Sequence, residues 1–406
     1  MALFLTKRTF QRFPIQELYV LKVLHKNSVS NNGFSASKRF LSTNTHRRTF
    51  SSYSSDAGRF THGFKRYWAS LKWFSIPASL GFAYICFQQY GHIKKREKNK
   101  ISHSNPEELL AKNWQVALYR KIPSRAMSRA FGQVINIDLP EWLRWPIIGL
   151  YCWTFSCNLD EAVVGDIKSY PSVGAFFRRE LKPETRPINV NSELTSPSDG
   201  VVLHFGKVEG NEVEQVKGIT YDMTTFLGPG HPHELDCTPK DKTCLYQCVL
   251  YLGPGDYHCF HSPADWEVKL RRHFPGDLLS VGPSIQRLIK GLFNYNERVV
   301  LSGTWKHGFF SYSAVGAHNV GSIYLDFEPE LRTNLKGKYI PGDYGEKLLS
   351  VTDNQGVCLK KGEKMGGFNM GSTIVLIFEA PKDFVFTAET GQKIKYGQPL
   401  GSLGNE

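Results

Sequence analysis

Residue 372 is a serine that follows Gly371 and leads into "STIVLIFEA", an apolar, β-branched run that reads as a buried strand. A hydroxyl at the start of such a strand can be held rigidly against the carbonyl of the residue before it. Ser372 is therefore either an ordinary turn residue or a nucleophile aimed at its own backbone. A serine hydroxyl is a weak nucleophile until a base takes its proton, most often a histidine oriented by a carboxylate. Two upstream stretches supply such groups. "TSPSDGVV" puts Asp199 in a turn before a strand, and "LGPGDYHCFHSPAD" puts His258 and His261 after a strand, in a loop rich in Gly and Pro. Each has a plainer reading, since Asp-Gly is a common turn and a loop histidine can be merely satisfied.

Metal chemistry has a weaker basis. The eight cysteines form no paired framework, in a chain far longer than a disulfide scaffold. Cys237, Cys244 and Cys248 with His231 and His233 could be drawn as a zinc site. "CLYQCVLYL" instead alternates like a strand, placing Cys244 and Cys248 on one face as small apolar residues, so no metal is expected.

The elements that must position Ser372, Asp199 and the histidines lie in the C-terminal half. Residues 196–406 alternate short β-branched and aromatic runs ("GVVLHF", "CLYQCVLYL", "WEVKLRRHF", "ERVVLSGTW", "GFFSYSAVGA", "VGSIYLDF", "TIVLIFEA") with Gly, Pro and Asp turns. This pattern predicts an antiparallel β domain. Within it, "KKGEKMGGF" at 360–368 is echoed by "IKYGQPLGSL" at 394–403, with turn glycines Gly362 and Gly397. Two similar hairpins around one strand suggest a barrel-sandwich of the lipoyl and biotinyl kind. A carrier domain would need a lysine on a tight hairpin tip, and "GFNMGST" has none; Lys364 precedes a double glycine instead. Residues 106–195 read as helical, including "LPEWLRWPIIGLYCWTFSCNL" at 139–159, interrupted by Pro146. That stretch suits either a helix docking on a membrane surface or a core helix. The expected fold class is α+β: N-terminal membrane and surface helices, then an antiparallel β barrel-sandwich catalytic domain.

The first 105 residues have another character. Of the 406 residues, 1–55 hold nine Lys and Arg against the single acid Glu17, within a net charge of +13. A basic, Ser- and Thr-rich segment of this kind is the composition of a mitochondrial transit peptide rather than a nucleic-acid arm. Residues 1–65 are read as presequence and basic disordered region. Residues 66–93 are read as a transmembrane helix, since 73–93 holds no Asp, Glu, Lys or Arg over a length near the ~20 residues that span a bilayer, although Pro77 and two glutamines leave a buried or interfacial helix as the alternative. Residues 94–105 are a charged linker.

Taken together, "DYHCFHSP", "SPSDG" and "MGSTIVLIFE" resemble, in order, the signature stretches of phosphatidylserine decarboxylases. "VGAFFRRELKPETRPI", "VKGITYDM", "PGDLLSV", "NERVVL" and "VGAHNVGSIYLDF" support the resemblance, which runs from about residue 170 to the end. With its presequence and membrane segment, the chain resembles the mitochondrial form. One departure is Met370 where the family usually has Leu, a swap of similar volume and apolarity.

The resemblance implies that Ser372 attacks the Gly371 carbonyl, with His261 as base and Asp199 orienting it. β-Elimination then splits the chain into a β chain up to 371 and an α chain of 372–406. Ser372 becomes a covalent pyruvoyl group, the only cofactor, and the site of a Schiff base with the lipid amine. His258 is implied to act on the substrate. Gly371, without a Cβ, is expected to permit strained backbone angles. The implied partners are phosphatidylserine in a membrane and the heterodimer of the cleaved chains, with a homodimer left open and no nucleic acid. The implied location is the mitochondrial inner membrane, single-pass, with the catalytic domain facing the intermembrane space.

Two other classes could use the same residues. A membrane-anchored serine hydrolase would keep Ser372 as a free hydroxyl in an uncut chain, and a non-enzymatic lipoyl-like barrel would bind without chemistry. A pyruvoyl decarboxylase for a soluble amino acid would have no use for the membrane segment.

Overall fold

A computed structural model describes residues 110–230, 242–319, 322–349, 356–369 and 371–404. The candidate presequence, transmembrane segment and linker lie outside the described residues, as do His231, His233 and Cys237. Among the described residues no helix is long and apolar enough to cross a membrane.

Helices come first. Asn113–Arg120 and Ser124–Ile135 are separated at Pro123, whose ring disfavours helical backbone in the residue before it. Glu141–Phe155 follows, then the short helix Val173–Phe177, capped by the Ser172 hydroxyl on the Ala175 N–H at 3.1 Å. Pro146 does not interrupt Glu141–Phe155, contrary to the sequence reading. It removes one intrahelical bond near the N-terminal end, while Ile148 and Cys152 beyond it pack against Tyr170 and Phe176.

Among the described residues, seventeen strands follow in chain order. They are β1 (Leu194–Thr195), β2 (Gly200–Lys207), β3 (Glu212–Val216), β4 (Ile219–Asp222), β5 (Thr243–Leu252) and β6 (Cys259–His261). Next come β7 (Trp266–Phe274), β8 (Arg298–Trp305), β9 (Gly308–Gly316), β10 (Ile323–Leu325), β11 (Gly345–Leu348) and β12 (Val357–Leu359). The last are β13 (Lys364–Phe368), β14 (Ser372–Pro381), β15 (Phe384–Phe386), β16 (Lys393–Ile394) and β17 (Pro399–Leu403).

The main sheet runs β11-β7-β8-β9-β14-β5-β2-β16, with β12 also on β7. At its centre β14 pairs antiparallel with β5 and with β9 over most of its length. Ile374, Val375, Leu376, Ile377 and Phe378 are all buried, so both faces of this strand are covered and the run is apolar throughout. Cys244 and Cys248 lie on β5, both buried, opposite Ala380 and Leu376, as the small apolar residues anticipated.

The architecture is α+β, but the sheets are open and the barrel expectation is corrected. Closing a barrel requires the two edge strands to pair. Here one edge is β11 and β12 and the other is the two-residue β16, and they are not joined. The internal echo does have a structural counterpart. Gly362 and Gly397 both take a positive φ, 85° and 83°, and a side chain on either would strike Ile188. The strands after the two turns diverge: β13 joins β10 and β6, while β17 joins β1 and β15. The repeat therefore builds two small flanking sheets rather than two halves of a barrel.

Candidate active site

Four strand ends of the main sheet meet at one level. Ser372, the first residue of β14, pairs with Leu252 at the end of β5 and with Gly316 at the end of β9. Gly200 opens β2 beside Tyr251 and Leu252, so Asp199 is delivered to the same end. The small β10-β13-β6 sheet carries His261 on β6, and its strand β13 ends at Phe368, four residues before Ser372.

Ser372 is fully buried, and its Oγ has no hydrogen-bond partner among the described residues. An orphaned buried hydroxyl costs about 1–3 kcal/mol; Thr373 Oγ1 and Ser313 Oγ share this state, and what sets Ser372 apart is its place directly after Gly371 at the strand start. Gly371 offers room, because nothing lies within 4 Å of where a Cβ would be. The preceding chain is clamped: Asn369 donates its N–H to the Ser322 carbonyl at 3.0 Å, and its Oδ1 accepts from Arg178 Nη1 at 2.8 Å.

His258 immediately precedes strand β6 and His261 is its last residue, and their rings occupy separate surroundings. His258 is reached through a turn in which Gly253 N–H donates to Asp256 Oδ2 at 2.7 Å. Its Nδ1 donates to the Asp256 carbonyl at 2.7 Å. A carbonyl only accepts, so the proton sits on Nδ1 and Nε2 carries a bare lone pair. That Nε2 is buried and has no partner among the described residues, with Phe177 packed on the ring at 4.1 Å. Burial pushes the His258 pKa down to about 3, leaving a neutral ring.

His261 Nδ1 donates to the Gly362 carbonyl at 2.9 Å, and its Nε2 faces the Tyr257 hydroxyl at 3.3 Å. The ring is stacked on Tyr396, 3.9 Å between centroids and 4° from parallel. Burial pushes this pKa down to about 4. The two turns of the internal echo thus hold His261 from two sides, one through the Gly362 carbonyl and the other through Tyr396.

Asp199 is nearly buried and does not hydrogen-bond to His261. It is gripped by Arg186 through Nε at 3.0 Å and Nη2 at 2.5 Å, and it accepts the Tyr396 N–H at 2.9 Å. Its link to His261 runs through Tyr396, whose backbone holds the carboxylate while its ring lies on the imidazole. Backbone pairing also separates the histidines relative to the serine. The His258 carbonyl accepts from Phe368 N–H at 3.0 Å, four residues before Ser372, whereas His261 pairs with Lys364, eight before.

Arg186, Tyr396, Arg178 and Asn369 escaped the sequence reading as functional residues. Arg178 and Arg186 lie within "VGAFFRRELKPETRPI", but nothing local announces what they grip. Among the described residues no group of His, Cys, Asp and Glu could hold a metal ion.

A family model described as phosphatidylserine decarboxylase matches residues 173–402. The chain is 50% identical over 343 residues to the mitochondrial phosphatidylserine decarboxylase proenzyme of Pongo abelii, covering 81% of this chain and 83% of that one. It is 43% identical over 342 residues to the proenzyme of the same name from Caenorhabditis elegans, with 84% and 85% covered. It is 38% identical over 395 residues to the mitochondrial phosphatidylserine decarboxylase proenzyme 1 of Saccharomyces cerevisiae, with 76% and 78% covered.

Proposed function

The chain belongs to the phosphatidylserine decarboxylase family, and from that premise we propose that it cuts itself between Gly371 and Ser372 to make its own pyruvoyl group. It decarboxylates phosphatidylserine to phosphatidylethanolamine and CO2. One observation carries the proposal: a buried Ser372 hydroxyl without a partner among the described residues, directly after an unhindered glycine.

The hydroxyl oxygen attacks the Gly371 carbonyl carbon, the amide C–N bond breaks, and an ester forms. Loss of the Ser372 α-proton then expels Gly371 as a carboxylate. Water displaces the freed nitrogen as ammonia, leaving an α chain of 372–406 that begins with pyruvoyl, and a β chain ending at Gly371. The word proenzyme in the relatives' names supports this reading. The setting suits the group, because the position is dry and its strand is paired on both sides. Pyruvoyl supplies an electron sink for the charge left when CO2 departs.

His261 is the cleavage base, neutral and with its lone pair on Nε2. It must exchange the Tyr257 hydroxyl for that of Ser372. Asp199, salt-bridged to Arg186, steadies His261 through Tyr396. His258 acts on the substrate, its unpartnered Nε2 available to receive or return a proton. Arg179 places positive charge near it, which favours an anionic lipid.

The tryptophan-bearing face of Glu141–Phe155 rests on the bilayer that holds the substrate. The protein resides in mitochondria, as the relatives' names support. It is anchored in the inner membrane by residues 66–93, with the catalytic domain in the intermembrane space. Protease added after rupture of the outer membrane alone should digest that domain; full protection would count against this orientation. Intact mass tests the central step. Self-cleavage yields a 35-residue fragment, 372–406, blocked to Edman chemistry, whereas a hydrolase or a binding module stays one chain.

A further inference from the structure

The helix Glu141–Phe155 is apolar on both sides, unlike an ordinary surface helix. Ile148 and Cys152 are buried against Tyr170 and Phe176. Trp142 and Trp153, on one stripe of the helix, are 75% and 80% exposed, and Trp145, toward its N-terminal end, is 64% exposed. The last turn of this helix rests on the loop that carries His258. The Phe155 carbonyl lies so close to Gly255 that a Cβ there would sit 2.1 Å from it. The Tyr151 hydroxyl donates to the Pro254 carbonyl at 2.5 Å. Two residues further on, the Asp256 carbonyl holds His258 Nδ1.

We infer that Tyr151 is a positioning residue that ties lipid engagement by this helix to the orientation of His258. The inference rests on the reading above, in which the tryptophan face meets the bilayer and His258 acts on the substrate. A bilayer that takes up three indoles fixes the helix at the interface, because each ring is apolar with one polar edge. A helix is stiff along its axis, so fixing one face sets the position of its last turn. The loop 253–256 is closed on itself by Gly253 N–H to Asp256 Oδ2 and Asp256 N–H to the Gly253 carbonyl at 3.0 Å. It therefore moves as a unit with whatever holds Pro254. Burial pushes the Tyr151 pKa up, so its hydroxyl remains a donor at any working pH. Only Gly fits at 255, because any side chain would drive the helix end off the loop.

The test compares turnover by the full-length, self-cleaved protein on vesicles containing phosphatidylserine with turnover on monomeric short-chain phosphatidylserine. The unaltered chain is expected to prefer vesicles. Tyr151→Phe keeps the ring against Phe155 and Phe176 and loses only the hydroxyl. It should lose about five-fold of that preference, the worth of one hydrogen bond, while sedimenting with vesicles normally. No vesicle preference in the unaltered chain, or an undiminished one in Tyr151→Phe, overturns the inference. Replacing Trp142, Trp145 and Trp153 by Ala tests the docking reading separately: normal vesicle sedimentation would refute docking by this face, whatever Tyr151 does. Should Tyr151→Phe fail to self-cleave, hydrogen exchange of the Gly253 amide and of amides 255–258 decides on uncut chains carrying Ser372→Ala. Vesicles should slow that exchange with Tyr151 present and not with Tyr151→Phe; equal slowing overturns the coupling.

Discussion

His258 and His261 are three residues apart, both buried and both neutral, yet they belong to different parts of the molecule. His258 hangs from the loop 253–256, which the helix Glu141–Phe155 and the helix Val173–Phe177 cover through Tyr151 and Phe177. His261 is held within the sheet turns by Gly362, Tyr257 and Tyr396. One ring therefore answers to the helical layer that carries the exposed tryptophans, and the other to the frame that holds Asp199. The difference teaches that what fixes Nδ1 and what faces Nε2 distinguish two histidines that proximity in sequence would group together. A bare Nε2 under the tryptophan-bearing helical layer suits work on a substrate that comes and goes. An Nε2 held by a tyrosine within a closed frame suits a single proton transfer made once per chain.

The largest effect removes what both histidines serve. Ser372→Ala should leave one uncut chain with no product, by gel and product assay. Normal cleavage in that variant would end the self-processing account. The comparison itself is tested by separating the two rings. His261→Ala should block cleavage, and Asp199→Ala should do so to a lesser or equal degree. His258→Ala should cleave at least partly and lose ~10²–10⁴-fold in turnover. A gel for the 35-residue fragment, run beside the product assay, distinguishes them. Cleavage blocked in His258→Ala but normal in His261→Ala would reverse the roles, an outcome that the nearness of His258 to Phe368 makes worth checking.

Acid sharpens what the rings share. The unfolded chain takes up a proton on each histidine near pH 6.5, whereas in the fold burial delays uptake to about 3 for His258 and about 4 for His261. A lowered folded pKa means stability is full above about 6.5 and falls as pH drops toward those values. At about 1.4 kcal/mol per unit, the pair costs several kcal/mol by pH 4. Melting temperatures measured from pH 7 to 4 should fall, and fall less in His261→Phe; identical slopes would place the loss elsewhere. The smallest effect is expected at Arg178, whose bond to Asn369 steadies the segment before Ser372. Arg178→Ala should slow fragment release several-fold, with partial rescue by Arg178→Lys. An unchanged rate would mean that the Asn369 contacts with Ser322 suffice.

Much of the site was legible because its chemistry resides in residue types. A serine after glycine before an apolar strand, an Asp-Gly turn and two histidines after a strand stand out wherever they occur. The long strands β2, β5, β7, β8, β9 and β14 announced themselves through β-branched and aromatic runs. Short strands such as β11 and β16 did not, since two to four mostly exposed residues carry no period. The partners were hidden by distance along the chain. Tyr396 is 197 residues from the Asp199 it holds, Arg178 is 191 from Asn369, and Tyr151 is 103 from Pro254.

The sequence by itself determined which groups could react, because nucleophile, base and carboxylate are properties of side chains. It also determined that a β domain would follow helices, because hydrophobic period is local. Only the tertiary structure decided that the sheets stay open, since closure depends on which edges meet. It decided too that Asp199 is held by Arg186 and Tyr396, and which nitrogen of each histidine keeps its proton. Those choices are made by hydrogen bonds across the fold, and a bond exists only where folding has brought both partners together.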